Sequence, residues 1–124
     1  MSDTAFKISF DYDGTLSEQS MQELAAKYLE LGAEVYVTTS RPDKLENVVV
    51  LNTDLFEVTD KLGIKRENII FTCYDDKFLH VMNFHIHYDD SEEEIFLINE
   101  YPIGICLGFL YEHNYKRDKG ITNF

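Results

Sequence analysis

Short apolar runs recur along the chain, and charged or turn-forming residues follow each of them closely. β-Branched and aromatic residues are frequent in these runs, and each run is about as long as a buried strand. The pattern predicts five strands, at residues 6–10, 34–38, 69–73, 84–88 and 103–107.

Apolar residues at helical spacing separate the first three strands. The first helix should begin after Ser17, a suitable N-cap, and end before Gly32. A second helix should begin at Thr53, again a capping residue, and end at Gly63, whereas residues 43–52 fit no regular pattern. The apolar face of the first helix would consist of Met21, Leu24, Ala25, Tyr28 and Leu31.

Two further helical segments complete the alternation. Residues 76–82 predict a short helix, and Ser91 followed by Glu94 is a capping-box pattern for a helix that continues to about Glu100. Because each parallel crossover needs a helix to return the chain, the order predicts a Rossmann-like α/β fold. Its parallel sheet should have about five strands, with helices on both faces. In a chain of 124 residues we expect one domain, with a core at 6–107 and a polar tail at 108–124.

Charge and composition limit the choice of partners and compartment. The chain has 11 basic and 23 acidic residues, and its net charge of −12 repels phosphate backbones and anionic membranes. We therefore expect neither long nucleic acid nor a membrane as a partner. The N-terminus has no signal-peptide pattern, and the longest apolar stretch, 101–111, is too short to span a bilayer. These features predict a cytoplasmic protein, in which Cys73 and Cys106 would be buried free thiols.

Polar residues cluster where the predicted strands end. Asp11 and Asp13 follow the first strand, Thr38, Thr39 and Ser40 end the second, Lys77 follows the third, and Asp89 and Asp90 follow the fourth. In an open parallel sheet the ligand binds beyond the carboxyl ends of the strands, so these groups should meet at one edge. Carboxylates, hydroxyls and one ammonium are what phosphoryl transfer through a covalent intermediate requires, with Mg²⁺ offsetting charge repulsion.

The segment Asp11–Leu16, which reads Asp-Tyr-Asp-Gly-Thr-Leu after an apolar strand, resembles the first signature of the haloacid dehalogenase superfamily. The motif fixes five positions, so a chance match in a chain of this length has a probability of about one in ten thousand. Three weaker motifs match in order: Thr39 within VYVTTSR, Lys77, and the pair Asp89-Asp90. Together the four motifs cover residues 6 to about 107.

The resemblance implies a role for each of these residues. Asp11 would be the nucleophile, Asp13 the general acid and base, and Thr39 a ligand of the phosphoryl oxygens, with Thr38 or Ser40 as alternatives. Lys77 would hold the nucleophile and the phosphoryl group. In this superfamily an acidic residue two positions after the nucleophile accompanies phosphatases, so Asp13 indicates phosphate chemistry. Mg²⁺ would be bound by Asp11, the backbone carbonyl of Asp13, and one or both of Asp89 and Asp90.

The chain departs from the family in what covers the site. Only residues 17–20 separate the first motif from its helix, and residues 42–68 hold little more than one crossover. The chain therefore resembles the capless members, with no cap domain and a shortened flap. An open site leaves water exclusion to a bulky substrate or to a neighbouring subunit, so a homo-oligomer remains open. The identity of the phosphorylated substrate does not follow from the sequence.

Two other functions are compatible with the same fold. One is a catalytically silent domain that binds a partner or a phosphorylated ligand, and the other is a phosphatase for nucleic-acid ends. The full set of carboxylates argues against the first, because unused carboxylates at a buried edge repel one another. The acidic balance argues against the second. His85 and His87 lie on the same face of the fourth strand, where we expect them to pack with local hydrogen bonds rather than to bind a metal.

Overall fold

The computed structural model describes residues 5–44, 51–100 and 104–112. Its sheet has five strands that all run parallel, in the spatial order β3-β2-β1-β4-β5. This confirms the predicted α/β fold. The strands are β1 (Lys7–Phe10), β2 (Glu34–Thr39), β3 (Ile69–Phe71), β4 (Ile86–Asp89) and β5 (Leu107–Leu110).

The strand order places a topological switch beside β1. From β1 the chain moves outward to β2 and β3, and then crosses back to form β4 and β5 on the other side. Ile8 of β1 accordingly pairs with Val35 of β2 on one side and with Ile86 of β4 on the other. At such a switch the crossovers diverge and leave a crevice beyond the carboxyl ends of the strands. The residues that follow β1 therefore lie where a ligand is expected to bind.

Helices cover both faces of the sheet and bury one apolar cluster on each. The helices are α1 (Gln19–Glu30), α2 (Thr53–Leu62), α3 (Phe78–Val81) and α4 (Glu92–Glu100). Alternate residues of a strand point to opposite faces, so Val35 and Val37 join one cluster while Tyr36 packs against the other. The first cluster includes Met21 and Ala25 of α1 and Leu55 of α2; the second includes Val81 of α3 and Ile98 of α4.

The start of α1 differs from the expectation. The N-cap residue is Glu18 rather than Ser17, and the Ser17 hydroxyl instead accepts a hydrogen bond from the backbone N–H of Gly14 (3.1 Å). Ser17 thus closes the turn after β1, a local contact that competes with helix capping. At the other end Leu31 is 83% exposed and does not belong to the apolar face.

Other helix and strand boundaries differ from the prediction by a few residues. Helix α2 spans Thr53–Leu62, so the expected cap Thr53 is its first residue and Asn52 takes the N-cap position. Gly63, in the left-handed conformation, closes the helix as expected. Strand β5 lies at Leu107–Leu110 rather than 103–107; Gly104 and Ile105 form a bend, in which the N–H of Ile105 donates to the carbonyl of Met82 (2.9 Å). The predicted tail therefore begins inside a strand, and residues 113–124 of that tail lie outside the described part of the chain.

The two cysteines lie in different environments. Cys106 is buried in the second cluster, whereas Cys73 is exposed, so the expectation of two buried thiols was wrong for Cys73. Cys73 lies in a turn after β3, and its φ of 53° is in the left-handed region. In the part of the chain that the structure describes, none of the helices has the length and apolar composition needed to cross a bilayer.

The difference between the thiols predicts their reactivity. Burial raises the pKa of the Cys106 thiol to about 12, so it stays protonated and inert at pH 8. A disulfide reagent such as Ellman's reagent should modify one thiol per folded chain at pH 8 and the second only after denaturation. Cys73→Ser should remove the fast reaction. Two thiols that react equally fast in the folded chain would contradict this assignment.

Candidate active site

The turn after β1 fixes the backbone of Asp11. Its N–H donates to the carbonyl of Tyr88 in β4 (2.8 Å), which extends the strand pairing by one residue. Its carbonyl then accepts the N–H of Leu16 (3.0 Å) across the turn. Gly14 within this turn has a φ of 77°, which strains any other residue, and a side chain there would overlap the carboxylate of Asp90. Glycine in the first motif therefore lets the turn approach the end of β4.

Three buried charged side chains meet below this turn. The Nζ of Lys77 donates to Oδ1 of Asp11 (2.6 Å) and to Oδ2 of Asp89 (2.8 Å). Each of the three residues is at most 5% exposed. Thr15 completes the surroundings of Asp11, since its hydroxyl donates to Oδ2 of that residue (3.3 Å). The carboxyl ends of β1 and β4 and the start of α3 therefore converge on one ammonium.

A chain of buried polar groups supports Asp89 from inside the sheet. The Nε2 of His87 lies 2.8 Å from Oδ2 of Asp89, and its Nδ1 lies 3.0 Å from the hydroxyl of Ser9. That hydroxyl is 2.7 Å from the hydroxyl of Thr38. A neutral His87 satisfies this chain, because it donates from Nε2 to the carboxylate while Nδ1 accepts from Ser9. The prediction that His87 packs with local hydrogen bonds is confirmed, and His85 stacks on Phe6.

The cluster carries more negative than positive charge. Burial, the nearby charge of Asp89 and that of Asp90 raise the pKa of Asp11 to about 8, against the opposing effect of Lys77. Burial also disfavours ionised Asp89, but its bonds to His87 and Lys77 outweigh this and lower its pKa. Burial lowers the pKa of Lys77 less than the two carboxylates raise it. When both carboxyl groups are ionised they outnumber the one ammonium, and the cost of the surplus charge falls on Asp11, which therefore keeps its proton to higher pH.

The carboxylates form a group that fits a divalent cation. Asp11, Asp89 and Asp90 each offer an oxygen, and these three atoms lie within 4.8 Å of one another. A set made only of carboxylate oxygens suits a hard cation such as Mg²⁺ or Ca²⁺. A cation here would also neutralise the surplus negative charge beside Lys77. The residues present therefore fit the group that the sequence led us to expect.

A pocket of about 220 Å³ opens above the cluster. Because its walls come from four strand ends, the convergence that the sequence predicted is present in the structure. A larger cavity of about 320 Å³ lies at the opposite edge, between the starts of β2 and β3, away from the carboxylates. The smaller pocket is lined by Asp11 and Asp13 after β1, Ser40 after β2, Lys77 after β3, and Asp89, Asp90, Ser91 and Glu94 after β4.

Two of the predicted site residues, Asp13 and Thr39, do not join the buried cluster around Lys77. Asp13 lines the pocket, but its side chain is 61% exposed and is paired with Arg41, so its carboxylate does not join the cation cluster. Thr39 is buried, and its hydroxyl accepts the backbone N–H of Arg41 (3.2 Å). The Thr38 hydroxyl is bonded to Ser9. Of the three hydroxyls that end β2, Ser40 is the one that lines the pocket.

The sequence reasoning missed Arg41 and Glu94. The sequence indicates no role for Arg41, yet its guanidinium pairs with both Asp13 and Asp54 (2.7 and 2.8 Å). For Glu94 the sequence predicts only a place in a capping box with Ser91. Its N–H does donate to the Ser91 hydroxyl (3.3 Å), but its carboxylate accepts the N–H of Lys77 (3.1 Å). Neither long-range partner leaves a signal in local sequence spacing.

No family model matches the chain, and no curated protein or solved structure matches it either.

The surplus charge predicts that Asp11 reduces stability when no cation is bound. A carboxyl whose pKa is raised by folding stabilises the fold fully below its unfolded pKa, near 3.8, and this contribution is lost as the pH rises to about 8. In EDTA, Asp11→Asn should therefore be more stable than the wild type at pH 8, by on the order of 1–3 kcal/mol. The gain should shrink toward pH 5. Urea unfolding at pH 5, 6.5 and 8 measures it.

Asp60→Asn is the matched control. Asp60 is an exposed carboxylate whose pKa is lowered by its bond to Arg66, so it titrates below this pH range. Its substitution should give a small difference that does not change between pH 5 and 8. A destabilised Asp11→Asn protein at pH 8, or a gain that grows toward pH 5, would contradict the charge assignment.

Proposed function

We propose that this chain is a magnesium-dependent phosphatase that hydrolyses phosphomonoesters through an aspartyl-phosphate on Asp11. The observation that carries the proposal is the position of this carboxylate. It is buried at the end of β1, 2.6 Å from the Nζ of Lys77, and grouped with Asp89 and Asp90 under a pocket. The resemblance of Asp11–Leu16 to the haloacid dehalogenase signature supports the same assignment.

The chemistry needs two displacements at phosphorus. In the first, an oxygen of Asp11 forms a bond to phosphorus while the bond to the leaving oxygen breaks, and Asp13 gives that oxygen its proton. In the second, Asp13 takes a proton from water as the water oxygen attacks the same phosphorus. The bond to Asp11 then breaks, inorganic phosphate leaves, and both carboxyl groups return to their starting states.

Lys77 supplies the fixed positive charge for both steps. Its Nζ is already bonded to Asp11 and Asp89, and the N–H of the same residue is held by Glu94, so its position is set before a substrate arrives. Asp11, Asp89 and Asp90 would hold Mg²⁺, with the backbone carbonyl of Asp13 as a further ligand. When bound, this cation reduces the repulsion between an anionic nucleophile and an anionic phosphate.

Ser40 takes the role that the sequence left open among three hydroxyls. The hydroxyls of Thr38 and Thr39 are engaged within the protein, whereas Ser40 lines the pocket beside Asp11 and Lys77. We therefore assign to Ser40 the contact with a phosphoryl oxygen, and to Thr39 the support of the segment that follows β2.

A catalytically silent binding domain is less consistent with the site. Two buried carboxylates and one ammonium cost desolvation energy that an apolar cluster of the same size would avoid. A binding module gains nothing from a nucleophile whose pKa burial raises, whereas strongly shifted groups in a pocket are typical of catalytic sites.

Activity should depend on Mg²⁺. Hydrolysis of p-nitrophenyl phosphate should be lost in EDTA and restored by excess Mg²⁺, because the carboxylates alone repel the substrate. Mg²⁺ should also raise the unfolding temperature of the wild type, since a ligand that binds only the folded state stabilises it. Asp90→Asn should weaken this thermal shift. Full activity in excess chelator would contradict the proposal.

Substitutions of the two aspartates of the first motif should affect the reaction in different ways. Asp11→Asn should abolish both turnover and phosphoenzyme formation, since an amide is a very poor nucleophile. Asp13→Asn should slow both steps by about 10²–10⁴-fold, because it removes general acid and base catalysis. With p-nitrophenyl phosphate, whose leaving group needs no proton, the first step is partly spared and the aspartyl-phosphate should accumulate.

Rapid quench with ³²P-labelled substrate, hydroxylamine cleavage and mass spectrometry of the Asp11 peptide measure these outcomes. Asp60→Asn serves as the control, because Asp60 is an exposed carboxylate paired with Arg66 and does not line the pocket. It should turn over like the wild type. Label on a serine, histidine or cysteine, or turnover by Asp11→Asn, would overturn the mechanism.

A further inference from the structure

Every N–H of the Arg41 guanidinium is used by a protein acceptor. The Nε donates to Asp13 (2.9 Å), and one terminal nitrogen donates to Asn52 (3.3 Å) and Asp54 (2.8 Å). The other terminal nitrogen donates to Asp13 (2.7 Å) and Asp54 (2.9 Å). A guanidinium has five N–H groups, so none is left over for a substrate. Both oxygens of the Asp13 carboxylate are engaged in this way.

The arginine itself is held from several directions. Its backbone N–H donates to Thr39, and its carbonyl accepts from Cys73 (3.4 Å) in the turn after β3. The guanidinium lies over the ring of Tyr12, 5.0 Å from the centroid. Asn52 is buried and is tied to the carbonyl of Pro42 (3.3 Å). Arg41 is therefore a rigid link from β2 and the start of α2 to the turn that carries Asp13.

Asp13 depends on such a link more than the other site residues do. Asp11, Lys77 and Asp89 are buried and hold one another, whereas the Asp13 side chain projects into solvent. A side chain that transfers a proton must lie within hydrogen-bond reach of the reacting oxygen, and small displacements cost large factors in rate. A planar guanidinium that grips both carboxylate oxygens fixes position and orientation together.

We propose that Arg41 is the positioning residue for Asp13, and that Asp54 and Asn52 anchor Arg41 in turn. This inference rests on the proposed function, because it assigns a partner to the residue that transfers protons there. Arg41 does not bind the phosphate in this arrangement. Its contribution is to hold the Asp13 side chain at the rim of the pocket. When Asp13 carries the proton that it gives to the leaving oxygen, one carboxyl oxygen stays bonded to the guanidinium and the other, now a hydroxyl, no longer accepts from it.

The test compares Arg41→Gln with a matched arginine elsewhere. Arg66 also grips an aspartate with two nitrogens, Asp60 (3.3 and 3.0 Å), and also lies over an aromatic ring, that of Phe56. It lies before β3, at the edge of the sheet opposite the pocket. Arg66→Gln should therefore leave turnover unchanged and control for the loss of a surface ion pair.

Leaving-group dependence separates positioning from binding. Arg41→Gln should lower kcat for phenyl phosphate by about 10–100-fold, a part of what proton transfer contributes, with KM nearly unchanged. The loss should be smaller for p-nitrophenyl phosphate, whose leaving group needs no proton. Arg41→Lys should not restore kcat, since an ammonium keeps the positive charge but lacks the planar pair of N–H donors that holds both carboxylate oxygens. Rescue by lysine, or a raised KM with kcat unchanged, would show a direct contact with substrate and overturn the proposal.

A double-mutant cycle gives the decisive measurement. If Arg41 acts through Asp13, Arg41→Gln should change the rate of an Asp13→Asn enzyme by less than about 2-fold. If the rate losses of the two single variants multiply in the double variant, the positioning role is wrong, while the proposed phosphatase activity is unaffected. A wild type that forms no phosphoenzyme would overturn the proposed function, and this inference with it.

Asp54→Asn keeps the test valid if Arg41→Gln does not fold. It leaves Arg41 bonded to Asp13 but removes one of its two bonds to position 54, because the amide nitrogen that replaces a carboxylate oxygen cannot accept. We expect a smaller loss than in Arg41→Gln, with the same dependence on the leaving group. An equal loss on both substrates, or no loss on either, would contradict the anchoring role.

Discussion

The ammonium of Lys77, between the carboxylates of Asp11 and Asp89, is the contact on which the site depends. It joins the ends of β1 and β4 to the start of α3 through bonds of 2.6 and 2.8 Å. The strand order makes this contact reachable, because the crossover from β3 to β4 must pass the ends of β2 and β1. Lys77 begins that crossover, so a residue that follows an edge strand lies over the centre of the sheet. Without the ammonium, two buried carboxylates would repel each other at the same place.

The buried surroundings of Asp89 explain why the surplus charge lies on Asp11. Asp89 accepts from Lys77 and His87 at one oxygen and from the N–H of Ser91 (3.0 Å) at the other. Its ionised form is therefore well satisfied, whereas Asp11 accepts from Lys77 at one oxygen and from Thr15 at the other. A fold that buries a carboxyl and so raises its pKa sacrifices stability for a group that can bind a cation.

The proposed acid and nucleophile differ by two residues in sequence but differ strongly in environment. The nucleophile sits on the strand end, where backbone pairing and burial hold it. The acid sits on the following turn and depends on Arg41, which comes from another strand. Gly14 follows both residues in this turn, and a side chain at its position would overlap the carboxylate of Asp90. One short turn thus connects the buried Asp11 to the exposed Asp13.

The sequence by itself determined the class of fold and the segments that form the site. Hydrophobic runs of strand length, the glycine after α2 and the polar residues at strand ends report local preferences, and local preferences are what neighbouring residues encode. It could not determine that Ser17 closes a turn, that β5 begins at Leu107, or which hydroxyl after β2 reaches the pocket. Those outcomes depend on partners distant in the chain, as do the pairing of Arg41 with Asp13 and the support of Lys77 by Glu94. Tertiary structure decided them, because a side chain with several available partners takes the one that the packed sheet brings within reach.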